Sequence, residues 1–162
     1  NTRNPAVLLF VGSGELEEEL RSRAQNMIGN TVFFAAFQNQ SQMPKVYASC
    51  DLLVLPSYGS GETWGLSINE AMNMGRPVIV SSNVGCWPDL VKDGVTGWIF
   101  PAGNLNKLID TLRGAIVLDR ESLGKMGEAG RKHVELYSYN CASSALKRTL
   151  EAQVARQQRS KQ

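Results

Sequence analysis

Five apolar runs rich in β-branched and aromatic residues recur along the first part of the chain, at Ala6 to Val11, Thr31 to Ala36, Asp51 to Leu55, Pro77 to Val80 and Gly97 to Phe100. Between the first four lie segments with apolar residues at helical spacing, so the order reads β-α-β-α-β-α-β. No other feature limits the fold as much. Runs such as VLLFV and LLVLP are apolar at nearly every position, the pattern of a strand buried on both faces. Parallel strands acquire that burial because each crossover is long and its helix packs back onto the sheet. The expected fold class is α/β, a doubly wound parallel sheet with flanking helices. After Phe100 the pattern is helical throughout. Asn104 is placed to cap a helix from Leu105 to Leu118, Arg120 to Tyr137 forms a second, and a third runs from Tyr139 to the neighbourhood of Gln157. The last residues, RQQRSKQ, are expected to fray. A length of 162 residues suits one domain, divided into an α/β core at 1–118 and a C-terminal helical extension at 119–162.

Charge and cysteine content exclude several classes of function. A net charge of +2, with 17 basic residues spread among 15 acidic ones, offers no gathered basic face for nucleic acid. Cys50, Cys86 and Cys141 are odd in number and form no C-x-x-C pair, so neither a disulfide framework nor a zinc site is indicated, and a reducing cytoplasm fits. No stretch approaches the roughly 18 apolar residues that span a bilayer, and no signal-like segment opens the sequence. Any membrane contact is therefore expected to be peripheral, at the cytoplasmic face. Lys147, Arg148, Arg156, Arg159 and Lys161 make the last helix mildly basic, usually just a solvated face but one compatible with such a contact.

Ligands of an open parallel sheet bind at the loops that leave the carboxyl ends of its strands. In the first loop, VGSGELEEEL, Gly12 and Gly14 permit a tight turn into a helix, but Glu17 stands where a dinucleotide fingerprint needs Gly and the acidic run would repel a pyrophosphate. Those acids suit the positive end of a helix instead. In the second loop, AAFQNQSQMPKVYASC, Asn39 or Ser41 can cap a short helix from Gln42 to Ser49. The third loop and helix, SGETWGLSINEAMNMG, set Glu62 in the loop and Glu70 in the second turn of a helix that starts near Gly65 or Leu66 and closes at Gly75. Free N–H groups of Gly65, Leu66 and Ser67 at that helix start suit phosphate or sugar oxygens. Ionised carboxylates only accept, so each of the two glutamates suits the paired hydroxyls of a ribose or a hexose. Read as ordinary surface residues, the same pair would carry no chemistry, but its position at a strand's carboxyl end, around a helix start, favours a site.

GETWGLSINEAMNMGRPVIVSS, followed by NVGCWPDLVKDGVTGWIFPAGN and preceded by VLLFVGSGELEEEL and SCDLLVLPS, resembles the C-terminal, donor-binding domain of the retaining glycosyltransferases of family 4, formerly group 1, which have the GT-B fold. The likeness runs in order from Val7 to Val117 and implies a Rossmann-like sheet. It implies a nucleotide diphosphate sugar, UDP- or GDP-linked, as partner, with retention at the anomeric carbon and neither metal nor other cofactor. Glu62 would be the catalytic residue that holds the transferred sugar, and Trp64, Gly65, Leu66 and Ser67 would meet sugar and phosphates. Glu70 would grip the ribose, with Gly12, Phe37 and Gln38 completing the nucleotide site. Asp89 stands where relatives usually carry Glu.

The resemblance also implies a strand before Ala6 whose loop supplies an Arg and a Lys to the diphosphate, and an N-terminal acceptor domain. The chain is therefore expected to be a fragment, inactive alone. With no strand between those at Ala6 to Val11 and Asp51 to Leu55, the sheet is expected to pair these two directly or to recruit an edge from a second copy as a homodimer. Lys45 and Arg76 are the substitute cations the sequence offers. His133 is expected to be a solvated helix residue, and Trp87 and Trp98 to be packing residues; Trp64 is equally suited to stacking on sugar or wedging its loop. A catalytically inactive sugar-nucleotide binding or regulatory module is the alternative, and a phosphorylase or epimerase on the same fold a third reading.

Overall fold

The computed structural model describes residues 6–59 and 61–159. Five strands follow the expected order: β1 (Leu8–Val11), β2 (Val32–Ala35), β3 (Leu53–Leu55), β4 (Val78–Ser81) and β5 (Gly97–Phe100). Helices α1 (Glu17–Ala24), α2 (Met43–Ser49) and α3 (Leu66–Asn73) connect the first four, and a four-residue helix α4 (Trp87–Leu90), too short for a periodic pattern to show, joins β4 to β5. Then come α5 (Leu105–Ile116), α6 (Arg120–Val134) and α7 (Tyr139–Arg159). The last turn of the expected second helix, Glu135–Tyr137, tightens to a 3-10 turn. The expected frayed tail is helical as far as Arg159, while Lys161 lies outside the described residues.

All strand pairs are parallel, but they form two hydrogen-bonded sheets rather than one, β1-β2 and β3-β4-β5. The expected direct pairing of β1 with β3 does not occur. Each of these strands has a hydrogen-bonded strand neighbour on one side only among the described residues, β2 for β1 and β4 for β3.

The doubly wound character is clearest at β4, where alternate residues enter different cores. Val78 and Val80 join Ile68, Ala71 and Met72 of α3 and Val134 of α6 on one side. Ile79 joins Phe100 and Ala115, with Leu108 and Leu112 of α5, on the other. α6 comes close to the turn after α3 because residue 127 is Gly: a Cβ there would stand 1.9 Å from the carbonyl oxygen of Gly75. Asn104 caps α5 as expected, its Oδ1 accepting from the Lys107 N–H at 3.0 Å, and at α6 the structure adds a cap by Asp119, whose Oδ1 accepts from the Ser122 N–H at 2.7 Å.

Candidate functional site

The loop that leaves β3 is held by the loop that leaves β4. The Ser81 hydroxyl donates to the Ser57 carbonyl, and the Asn83 amide donates to the Gly59 carbonyl at 3.0 Å. Farther along, the Cys86 N–H donates to the Trp64 carbonyl at 2.8 Å. The two loops touch at Gly85, where a Cβ would lie 1.9 Å from the Thr63 carbonyl oxygen. Any side chain at that position would force them apart.

The pinned loop ends at Gly65, which has φ 94° and so lies in the left-handed region. A Cβ there would also stand 2.5 Å from Val84 Cγ1, so both backbone and packing require glycine. This turn starts α3 without a side-chain cap. The N–H of Ile68 returns to the Gly65 carbonyl at 2.9 Å, whereas the N–H groups of Gly65, Leu66 and Ser67 have no acceptor among the described residues. Three donors thus gather at the positive end of a helix dipole, equivalent to roughly half a unit charge.

Glu62 and Glu70 flank these donors in sequence. Glu62 is half-buried and has no hydrogen-bond or ion-pair partner among the described residues. Its charge is felt by Cys86: burial first, and then the carboxylates of Glu62 and Asp89, push that thiol up to about 11. Cys86 is therefore a neutral packing group beneath the loop, its Sγ 3.8 Å from the Gly65 carbonyl. Glu70, also half-buried, accepts a hydrogen bond at Oε2 from Tyr47 Oη at 2.7 Å.

The other expected site residues divide into two groups. Gly12, with φ 124°, follows β1, and Phe37 and Gln38 follow β2, so each stands at a strand's carboxyl end. Phe37 is 73% exposed and free to stack. Gln38 donates to the Ala36 carbonyl, and Asn39 Oδ1 accepts from the Gln42 N–H, closing the turn into α2. Trp64 packs against the core, with its indole N–H donating to Asn69 Oδ1 at 2.8 Å, an arrangement that wedges the loop. Trp87 and Trp98 pack against the two cores as expected.

The substitute cations stand elsewhere. Arg76 precedes β4, at the amino ends of the strands, and its guanidinium donates to the Ala48 carbonyl at 2.8 Å. Lys45 lies on α2, bound to Gln42 Oε1 at 3.0 Å. His133 departs from expectation too. Rather than solvated, it is half-buried, with Nε2 2.8 Å from the Asp89 carbonyl oxygen, which also accepts from Tyr137 Oη at 3.1 Å. The carbonyl of Asp89 thus ties α4 to α6, whatever the length of its side chain.

Tyr47, Asn69, Ser81, Asn83 and Cys86 support the site, and sequence reasoning did not reach them. Tyr47 and Glu70 are 23 positions apart, so no local spacing could have joined them. For Cys86 the cue was its place in NVGCWPD, directly after the glycine that the loop contact requires.

Comparison with known proteins gives this geometry a context. The family model described as "Glycosyl transferases group 1" matches residues 1–133. The chain is 32% identical over 145 residues to a sulfoquinovosyl transferase of Arabidopsis thaliana, an alignment spanning 88% of this chain and 27% of that protein. It is 32% identical over 144 residues to a phosphatidyl-myo-inositol mannosyltransferase of Mycobacterium leprae, spanning 89% of this chain and 37% of that protein. Among solved structures, a sucrose-phosphate synthase from Thermosynechococcus elongatus superposes with a TM-score of 0.71 at 28% identity, over 90% of this chain and 38% of the other. Both hydrogen-bonded sheets therefore fit one known architecture together. The chain spans about a quarter to two fifths of the length of these proteins.

Proposed function

The chain belongs to the group 1 glycosyl transferases, and from that premise we propose that it is the donor-binding part of an enzyme that moves a sugar from a nucleotide diphosphate sugar to an acceptor with retention at the anomeric carbon. One observation carries the reading: at the start of α3, three amides with no acceptor among the described residues follow Glu62 and precede Glu70 in a loop-and-helix segment pinned by its neighbour. Glu62 accepts hydrogen bonds from the hydroxyls of the transferred sugar. The amides of Gly65, Leu66 and Ser67 take the diphosphate and sugar oxygens, and the helix dipole offsets part of the diphosphate charge. Glu70 accepts from the ribose hydroxyls, while Phe37, Gln38 and Gly12 border the nucleotide.

In the transfer itself, the bond from the anomeric carbon to the diphosphate breaks and the bond to the acceptor oxygen forms on the same face. The departing phosphate oxygen takes the acceptor's proton. No metal is assigned a part. The chain aligns with only 27% and 37% of two relatives, which supports assigning the acceptor to another part of the enzyme, and the chain alone is expected to transfer nothing. The names of the relatives differ in sugar and in acceptor, so they support the common chemistry and no particular substrate.

Hydrolysis and transfer with UDP- and GDP-sugars, measured on the full-length protein beside Glu62→Ala, test the proposal. The substitution should reduce turnover by at least tenfold, the least expected of a group that positions the reacting sugar. Activity indifferent to it would remove Glu62 from the mechanism. Nucleotide binding without any turnover in the full-length protein would favour the inactive binding module instead.

A further inference from the structure

We propose that Tyr47 is a positioning residue for nucleotide recognition, holding Glu70 in the conformation that accepts a vicinal diol. The inference rests on the reading of Glu70 as the ribose acceptor. Tyr47 is only 5% exposed, and its ring packs in the core beside α3. A buried phenol has few conformations available, so the direction of its O–H is set by packing. That O–H donates to Glu70 Oε2 at 2.7 Å. Glu70 has three rotatable bonds and is otherwise free to sample several rotamers. The one side-chain bond it accepts among the described residues selects among them before ligand arrives, and preorganisation of this kind lowers the entropic cost of binding.

The chemistry of the donor matters as much as its place. A Lys or Arg would also hold Glu70, but as an ion pair it would neutralise the carboxylate and compete with ligand for its lone pairs. No Lys or Arg among the described residues forms an ion pair with Glu70. A neutral phenol takes one of the about four lone-pair positions on the carboxylate and leaves three, enough for two adjacent hydroxyls. Burial, and then the Glu70 carboxylate, raise the pKa of Tyr47, so the phenol remains a donor through the physiological range. Tyr47 also sits on α2, which directly follows the loop carrying Phe37 and Gln38. One helix thereby follows the loop proposed to border the nucleotide and carries the donor to the proposed ribose acceptor.

The test uses Tyr47→Phe, which keeps the buried ring and removes only the oxygen, with Glu70→Gln beside it in the full-length protein. Affinity is measured calorimetrically for UDP, GDP and ADP, and for the 2′,3′-dideoxy form of whichever binds. Tyr47→Phe should weaken the ribonucleotide by about three- to tenfold, the effect of one hydrogen bond, and leave the dideoxy form unchanged. Equal losses for both forms would make Tyr47 merely structural and overturn the proposal, as would no loss for either. If Glu70→Gln discriminates the two forms and Tyr47→Phe does not, the positioning role alone fails. If Glu70→Gln does not discriminate them, or no nucleotide binds, the ribose reading fails and this inference with it.

Discussion

β4 and β1 are both short apolar strands, VIVS and LLFV, yet they sit in different surroundings. Every residue of β4 is buried, because β3 and β5 occupy its two edges while α3 and α6 cover one face and α5 the other. Among the described residues β1 pairs only with β2, and Leu8 remains 48% exposed. Composition thus identifies a strand, whereas its burial depends on its neighbours. The site follows the same division. Glu62, Gly65 and Glu70 follow β3 in the well-packed unit, braced by the loop after β4, while Gly12, Phe37 and Gln38 follow the strands of the thinner one.

Truncation should expose this contrast most strongly. Ile79→Ala, deep between β4 and α5, is expected to cost about 2 to 5 kcal/mol of unfolding free energy, the range for large-to-small changes in a core that cannot collapse. Leu8→Ala on β1 should cost well under half as much, because the side chain is already half in water. Urea denaturation of both variants decides the matter, and equal losses would break the comparison.

An alkaline titration should separate the regions by their thiols. Cys86 has a folded pKa of about 11, above its ordinary value of 9.0, so the unfolded chain gives up that proton first. Stability is unaffected below about pH 9 and falls as pH rises from there to about 11, by roughly 3 kcal/mol at most for a shift of two units. Cys86→Ala should remove the part of this slope between about pH 9 and 10, before the raised phenol of Tyr47 adds its own loss, while Cys141→Ala, at an exposed thiol, leaves it in place. A smaller effect is expected at the edge of the well-packed unit: Asn104→Ala should cost about 1 kcal/mol by freeing the Lys107 amide at the start of α5, read as a lowered Tm.

Much of this was legible in the sequence. All five strands lie where the apolar runs placed them, because a near-continuous apolar run suits a parallel strand, but the burial on both faces that such a run implies is not met at β1. Asn104, Gly65 and the start of α3 were equally plain, since caps and turns depend on residues close in sequence. What escaped depends on distant partners. Nothing local to Arg76 or His133 shows that their acceptors are the carbonyls of Ala48 and Asp89. The separation of β1 from β3 likewise belongs to strand order, which periodicity within a strand does not encode. At α7 the expected tail is helical to Arg159, although Leu146, Leu150 and Val154 along it are exposed. Helix propensity therefore carries that segment further than packing does.

The central claim is that ligand meets the chain between Glu62 and Glu70. Amide chemical shifts, followed by NMR while UDP, GDP or ADP is titrated into the 162-residue chain, locate the contact residue by residue and register even weak binding. The largest shifts should fall on Gly65, Leu66 and Ser67, followed by Glu62, Glu70 and the loop at Phe37 and Gln38, and Glu70→Gln should weaken binding by about 1.5 to 3 kcal/mol, as for loss of a hydrogen bond to a charged group. Shifts centred instead on the cavity lined by Asp51, Arg76 and Arg120, at the opposite ends of the strands, would contradict the account.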